Sequence, residues 1–169
     1  MISKLKLNSM YASVSFENNT NLTWNNINLR VLLGEDVYCK YNIFKLTLTS
    51  MSTSGQSAEY LNNENASQVN VNISGLQFIN GTYSHKAQTN ITSCSLITHE
   101  FPGLGNFGTP RITWYDDNTS VYFRKSGNNC NINIFYTNAL TDLSINYELN
   151  GEIPEYPSVL FYFNIEPIE

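Results

Sequence analysis

Gln68-Val-Asn-Val-Asn-Ile-Ser74 decides the class of fold. Its apolar residues, Val69, Val71 and Ile73, occupy alternate positions, with Asn70 and Asn72 between them. Side chains alternate across an extended strand, so this period predicts a half-buried strand with its aliphatics inward and its asparagines outward. Tyr41 to Thr49 repeats the pattern and sets Phe44, Leu46 and Leu48 on one face. Tyr11 to Glu17 alternates around Val14 and Phe16, and Asn28-Leu-Arg-Val-Leu-Leu33 is a shorter strand candidate. Ser95 to Phe101, Ile112 to Tyr115, Ser120 to Arg124, Cys130 to Tyr136, Leu143 to Leu149 and Val159 to Ile165 complete the set. Clusters of Gly, Asn, Asp and Pro separate these runs.

No segment carries an apolar stripe at helical spacing for three turns, so no helix is predicted. Many short strands with turn signals between them imply an all-β, two-sheet antiparallel sandwich. The long connections Ser50 to Gln68 and Phe101 to Pro110 favour a single jelly roll of about eight core strands over a tight meander. Met51 to Asn65 is the most polar of them, and Pro102, Gly103, Gly105, Gly108 and Pro110 make a turn-rich corner. Residues 10–169 then form one domain, and residues 1–9, with Lys4 and Lys6, form an N-terminal arm that orders against a partner. The expected core is Phe44, Leu46, Leu48, Val69, Val71, Ile73, Ile132, Ile134 and Leu160, with Phe161 or Tyr162. The last strand is apolar throughout, which leaves its inward face open.

The chain has 169 residues, the size of one ordinary domain. Hydrophobic residues make up 41% and aromatics 13%, which excludes a disordered chain. Charged residues are only 14%, so the polar surface is mostly amide and hydroxyl, with asparagine runs such as Asn62-Asn63 and Asn128-Asn129. Net charge is -5 and the nine basic residues are scattered, which argues against nucleic-acid binding. No apolar run approaches the ~18 residues of a membrane span, and no secretory leader follows Met1. Cys39, Cys94 and Cys130 are widely spaced, with no C-x-x-C pair, so neither a disulfide framework nor a zinc site is expected and all three thiols should be free. Sequons begin at Asn18, Asn21, Asn65, Asn72, Asn80, Asn90 and Asn118; without a leader they are expected to stay unglycosylated.

Catalytic chemistry finds little to work with. His85 and His99 are the only histidines, and His99 and Glu100 adjoin in a strand, so their side chains point to opposite faces. Asp116-Asp117-Asn118 reads as a turn between the strands at Ile112 and Ser120 rather than as a facing carboxylate pair. Gly103 to Gly108 does not join a strand to a helix, so it is not a phosphate loop. Cys39 and Cys130 sit at strand candidates, where small buried residues are common. Trp24, Trp114, Tyr115 and Tyr122 supply either a sugar-stacking platform or ordinary core and rim aromatics. No catalytic, cofactor or metal residue is assigned.

Four segments carry a family resemblance: NINLRVLLGEDVYCKYNIFKLTLTS (Asn26 to Ser50), VNVNISGLQFINGTY (Val69 to Tyr83), SVYFRKSGNNCNINIFYTN (Ser120 to Asn138) and YPSVLFYFNIEPI (Tyr156 to Ile168). In pattern and order they resemble the small single-jelly-roll capsid proteins of large icosahedral DNA viruses of the algal-virus and mimivirus type. The major capsid proteins of such viruses are double jelly rolls, far longer than this chain. The resemblance therefore implies a penton, a homopentamer at each fivefold vertex, or a minor capsid protein beside the major one. It implies a virion location after assembly in the host cytoplasm, no catalysis, no cofactor, and neither nucleic acid nor direct membrane insertion. A carbohydrate-binding jelly roll on a virion surface or fibre is the second reading. A cupin-like metalloenzyme is the third, and the chain has too few histidines for its usual ligand set.

Overall fold

The computed structural model describes residues 1–15, 21–54, 68–79, 83–84, 89–90, 98–100, 111–115, 120–138 and 158–168, the side chains of 54, 68–70, 83–115 and 138 excepted. The chain runs through β1 (Ser3–Asn8), a 3-10 turn (Ser9–Tyr11), β2 (Ser13–Ser15), β3 (Asn21–Asn28), α1 (Leu29–Leu33) and α2 (Glu35–Lys40). It continues through β4 (Ile43–Ser54), β5 (Gln68–Ser74), β6 (Gln77–Phe78), β7 (Tyr83–Ser84), β8 (Thr89–Asn90) and β9 (Thr98–Glu100). It closes with β10 (Arg111–Tyr115), β11 (Ser120–Arg124), β12 (Asn129–Asn138) and β13 (Val159–Pro167). One sheet has the order β1-β13-β4-β11-β6, with β10 also on β4; the other has the order β2-β3-β12-β5-β9, and β7 pairs with β8.

All these pairings are antiparallel, and they are nested. β1 pairs with β13, β3 with β12, β4 with β10 and β11, and β5 with β9, so first meets last and the pairs alternate between the two sheets. An antiparallel ribbon rolled up in this way is a jelly roll. The all-β, single-roll expectation therefore holds.

Period 2 places the core. Phe44, Leu46, Leu48 and Met51 of β4 are buried against Val71 and Ile73 of β5 and Ile132, Ile134 and Tyr136 of β12. β13 resolves the ambiguity of its apolar run: Val159, Phe161, Phe163 and Ile165 are inward, while Leu160 is only half-buried and Tyr162 is exposed. Leu160 therefore leaves the predicted core. Phe161 is the hub, edge-on to Trp24 with centroids 5.9 Å apart and stacked on Tyr136 and Phe163 at 6.2 Å each. Phe44 stacks on Phe123 at 5.6 Å. Such pairs add about 0.5–1.5 kcal/mol each beyond area burial.

The structure corrects several other expectations. Leu29 to Leu33 is helix rather than strand, and Cys39 lies on α2, not on a strand. Residues 3–8, expected within an arm that orders against a partner, form a strand of this chain's own sheet: Leu5 and Leu7 are buried and β1 hydrogen-bonds along β13. β3 was missed because two residues, Asn25 and Asn26, oppose Asn131 between the pairs Trp24–Ile132 and Ile27–Cys130. That bulge, with Asn26 at φ 57 and its N–H donating to Asn131 Oδ1 at 2.9 Å, breaks the alternation. Met51 to Ser54 is not loop but the end of β4. β10 and β11 do not pair with each other across Asp116-Asp117-Asn118; both run along β4, Tyr115 opposite Ser50 and Ser120 opposite Thr47. Finally, Asn72 is not on a wet face. It is buried, and its Nδ2 donates to the Oγ1 of buried Thr137 at 3.1 Å. The loops Gly55 to Ser67 and Phe101 to Pro110 and the strand candidate Leu143 to Leu149 lie outside the described residues.

Candidate functional site

Among the described residues, those singled out for chemistry do not come together. Trp24 is buried between the sheets, and its indole N–H donates to the Asn8 carbonyl at 2.8 Å. Tyr122 faces solvent from β11, so a platform shared by these two rings does not exist. The backbones of Trp114 and Tyr115 lie in β10 opposite Met51 and Ser50, and their side chains are outside the description. His99 pairs with Val69 at the backbone; His85, Cys94, Asp116, Asp117 and Gly103 to Gly108 lie outside the described residues. Among the described residues, no three His, Cys, Asp or Glu side chains could hold a metal ion together. No described helix is long and apolar enough to cross a membrane.

The two described thiols are free and differ in setting. Cys130 is buried in β12, and burial pushes its pKa up to about 11, so it is a poor nucleophile at neutral pH. Cys39 is exposed, and its Sγ donates to Glu35 Oε1 at 3.4 Å.

Three surfaces remain. The first is the outer face of the β1-β13-β4-β11 sheet. Cross-strand pairs tile it: Lys45 with Glu166 at 3.7 Å, Thr47 with Ser120 at 2.7 Å, and Lys6 over the Tyr162 ring at 5.7 Å. Exposed pairs of this kind are each worth little.

The second is the helical bracket between β3 and β4. Asn28 caps α1 by accepting the Val31 N–H at 3.0 Å, and Leu29 and Leu33 bury the inner side. Gly34 joins the helices at φ 84, ψ 149, a conformation essentially restricted to glycine. Arg30 forks onto the Glu35 carboxylate, which holds that carboxyl below its usual range, aided by the Cys39 hydrogen bond. The Tyr38 ring lies between Arg30 at 5.8 Å and Lys125 Nζ at 4.4 Å, and Lys125 also donates to the Tyr38 carbonyl. The bracket is thus clasped to the β11–β12 turn.

The third surface is the flank where both sheets end, on β1 in one and β2 in the other, joined by the Ser9–Tyr11 turn. Asn8 Oδ1 accepts the Met10 N–H at 2.9 Å, Ser9 Oγ accepts the Val159 N–H at 2.9 Å, and the Ala12 N–H donates to the Ser9 carbonyl at 3.0 Å. Ser9 and Ala12 are buried, while Met10 is 70% and Tyr11 78% exposed. Sequence reasoning does not reach this flank, because it reads residues 1–9 as an arm that orders against a partner; the Leu5–Leu7 alternation and the Asn8–Ser9 cap residues are the available signals.

No protein-family model matches the chain, and no curated protein matches it in sequence. Among solved structures, a virus-like particle of the extra small virus of the giant freshwater prawn Macrobrachium rosenbergii aligns with 100% of this chain and 80% of that one. Identity is 8% and the TM-score 0.29, a likeness too slight to bear on fold or function.

Proposed function

We propose that this chain is a structural capsid protein, the penton that fills the fivefold vertices of a large icosahedral DNA virus. The observation that supports the reading most is the nested strand order completed once, within one domain: a single roll rather than a double one. The sequence resemblance places rolls of this size beside double-roll major capsid proteins. Low charge supports it too, since a surface of amides and hydroxyls packs against neighbours with little desolvation of ions. Trp24, inside the sandwich, is one ring the lectin reading cannot use. Pentamers close through heterologous contacts, so two different flanks of each subunit meet.

Cryo-electron microscopy of assembled particles tests the assignment. The chain should occupy the vertices as a five-membered ring beside the major capsid protein. Density for it at quasi-sixfold positions, on an external fibre, or nowhere in the particle would overturn the vertex reading.

A further inference from the structure

We propose that the outer face of the β1-β13-β4-β11 sheet binds single-stranded nucleic acid, with Lys4, Lys6 and Arg124 on its phosphates and Tyr122 and Tyr162 stacking on its bases. The proposal does not depend on the vertex reading.

Basic residues scattered along the sequence argue against such a partner, but the fold gathers four of them on one face. Side chains alternate across each strand, so the inward burial of Leu5, Leu46 and Phe123 turns Lys4, Lys6, Lys45 and Arg124 outward. Strand register sets their relation. Lys6 stands opposite Tyr162, and Lys4 opposite Asn164, which faces Thr47. Tyr122 stands opposite Lys45, with Arg124 two residues further along β11. The cations and the two rings therefore form a diagonal stripe across the sheet, from Lys6 on β1 to Arg124 on β11. Amides and hydroxyls fill the gaps. The one described carboxylate on this face is Glu166, which lies 3.7 Å from Lys45. Lys4, Lys6 and Arg124 are exposed, and among the described residues no carboxylate pairs with any of them. Three uncompensated positive charges thus share one face of a chain whose net charge is -5.

Charge and rings together choose the partner. Cations alone would suit any polyanion, including a sulfated polysaccharide. The stripe also carries Tyr122, 37% exposed, and Tyr162, 38% exposed. Lys6 Nζ lies 5.7 Å over the Tyr162 ring centroid, so that ring presents a face on the solvent side; the lysine moves to a phosphate when a base takes its place. Every base has a π-face, so aromatic rings on a basic surface hold single strands with little regard for sequence. A duplex keeps its bases stacked on one another and offers such rings little.

Fluorescence anisotropy on the full chain tests this, with labelled oligothymidylate and oligouridylate of about 20 nucleotides, longer than a single-domain site of this kind. Both should bind, and between about 0.05 and 0.2 M salt log K should fall against log salt with a slope of about -2, as three phosphate contacts on a single strand require. Arg124→Gln should make the slope shallower by about 0.7, and Lys4→Gln with Lys6→Gln by about 1.4. Tyr122→Leu should weaken binding about tenfold and leave the slope as it was. All these side chains are exposed, and circular dichroism with a melt confirms that each variant keeps the fold. No binding of either strand at the lowest salt, a slope indifferent to the Arg124 change, or an affinity indifferent to the Tyr122 change overturns the proposal. A duplex of the same length, or heparin, bound as tightly as the single strands overturns it too, because the face would then be a site for charge alone.

Discussion

β4 (Ile43–Ser54) and the segment Leu29–Leu33 are separated by only nine residues, and both invite a strand assignment. One is the central strand of its sheet, while the other is a helix. In β4 Phe44, Leu46 and Leu48 are buried two apart, and past an irregularity at Thr49 the same period resumes with buried Met51 and Thr53. In α1 the buried side chains are Leu29 and Leu33, four apart, with Leu32 partly buried and Val31 78% exposed. Periodicity is thus legible only when a run is long enough to distinguish 2 from 3.6. Five residues are too few. Caps must decide instead, and they were present: Asn28 before the run, Gly34 after it, Glu35 and Asp36 opening the next helix, and Lys40 in its last turn.

The largest expected effect tests the strand side of that comparison. Leu46→Asp places an unpaired carboxylate between the sheets, a cost of several kcal/mol that rivals the whole stability of a domain. The variant should fail to fold, as Val71→Asp should, with loss of the β signal in circular dichroism. A cooperative melt near the parent's would mean that the inward face of β4 is misassigned.

Next in size is Gly75→Ala. Gly75 follows β5 at φ 96, and an added Cβ would sit 1.7 Å from the Asn131 carbonyl oxygen, at the bulge between β12 and β3. Backbone faces backbone there, so neither side can yield cheaply. The expected loss is about 3 kcal/mol, read from the denaturation midpoint. A loss below about 1 kcal/mol would show that the bulge can shift.

The helix side has its own test. A strand would point Leu29, Val31 and Leu33 the same way; a helix separates Val31 from the other two. Leu33→Ala should therefore cost about 3 kcal/mol, whereas Val31→Asp should stay within about 0.5 kcal/mol of the parent in chemical denaturation. Equal, large losses at both positions would restore the strand.

The same physics explains what else was legible. Long alternating strands were: β5 is the stretch Gln68–Ser74 to the residue, and β11 is Ser120–Arg124. Elements were lost where tertiary structure interrupts the local pattern. β3 alternates only through Leu22 and Trp24 before Asn26 turns left-handed. β10 and β11 share one neighbour, a relation that no local turn signal encodes. Asn72 alternates with the apolar residues of its strand and so reads as solvent-facing, yet it is buried and bonded to Thr137 of the neighbouring strand. The flank at Met10 and Tyr11 was the least legible, because exposure on a fixed turn is a property of bonds to Val159 and Trp24, distant in sequence.

The smallest expected effect concerns the outside of the bracket. Arg30 and Glu35 form an ion pair with both side chains largely in solvent. The hydrogen bond from Arg30, then that from Cys39, holds the Glu35 carboxyl below its usual range. A carboxyl whose folded pKa is depressed adds stability above the pKa of its unfolded form and loses it as pH falls through the folded value. Near neutral pH, Glu35→Gln should therefore lower the melting temperature slightly. The gap should narrow on acidification through the carboxylate range, and about 1 M salt should also shrink it, because exposed charges are screened. The Leu46, Gly75 and Leu33 variants, whose losses come from packing and backbone fit, should keep their deficits at high salt. A Glu35→Gln deficit that grew with acid, or ignored salt, would mean that the carboxylate acts through buried contacts and not through the exposed pair.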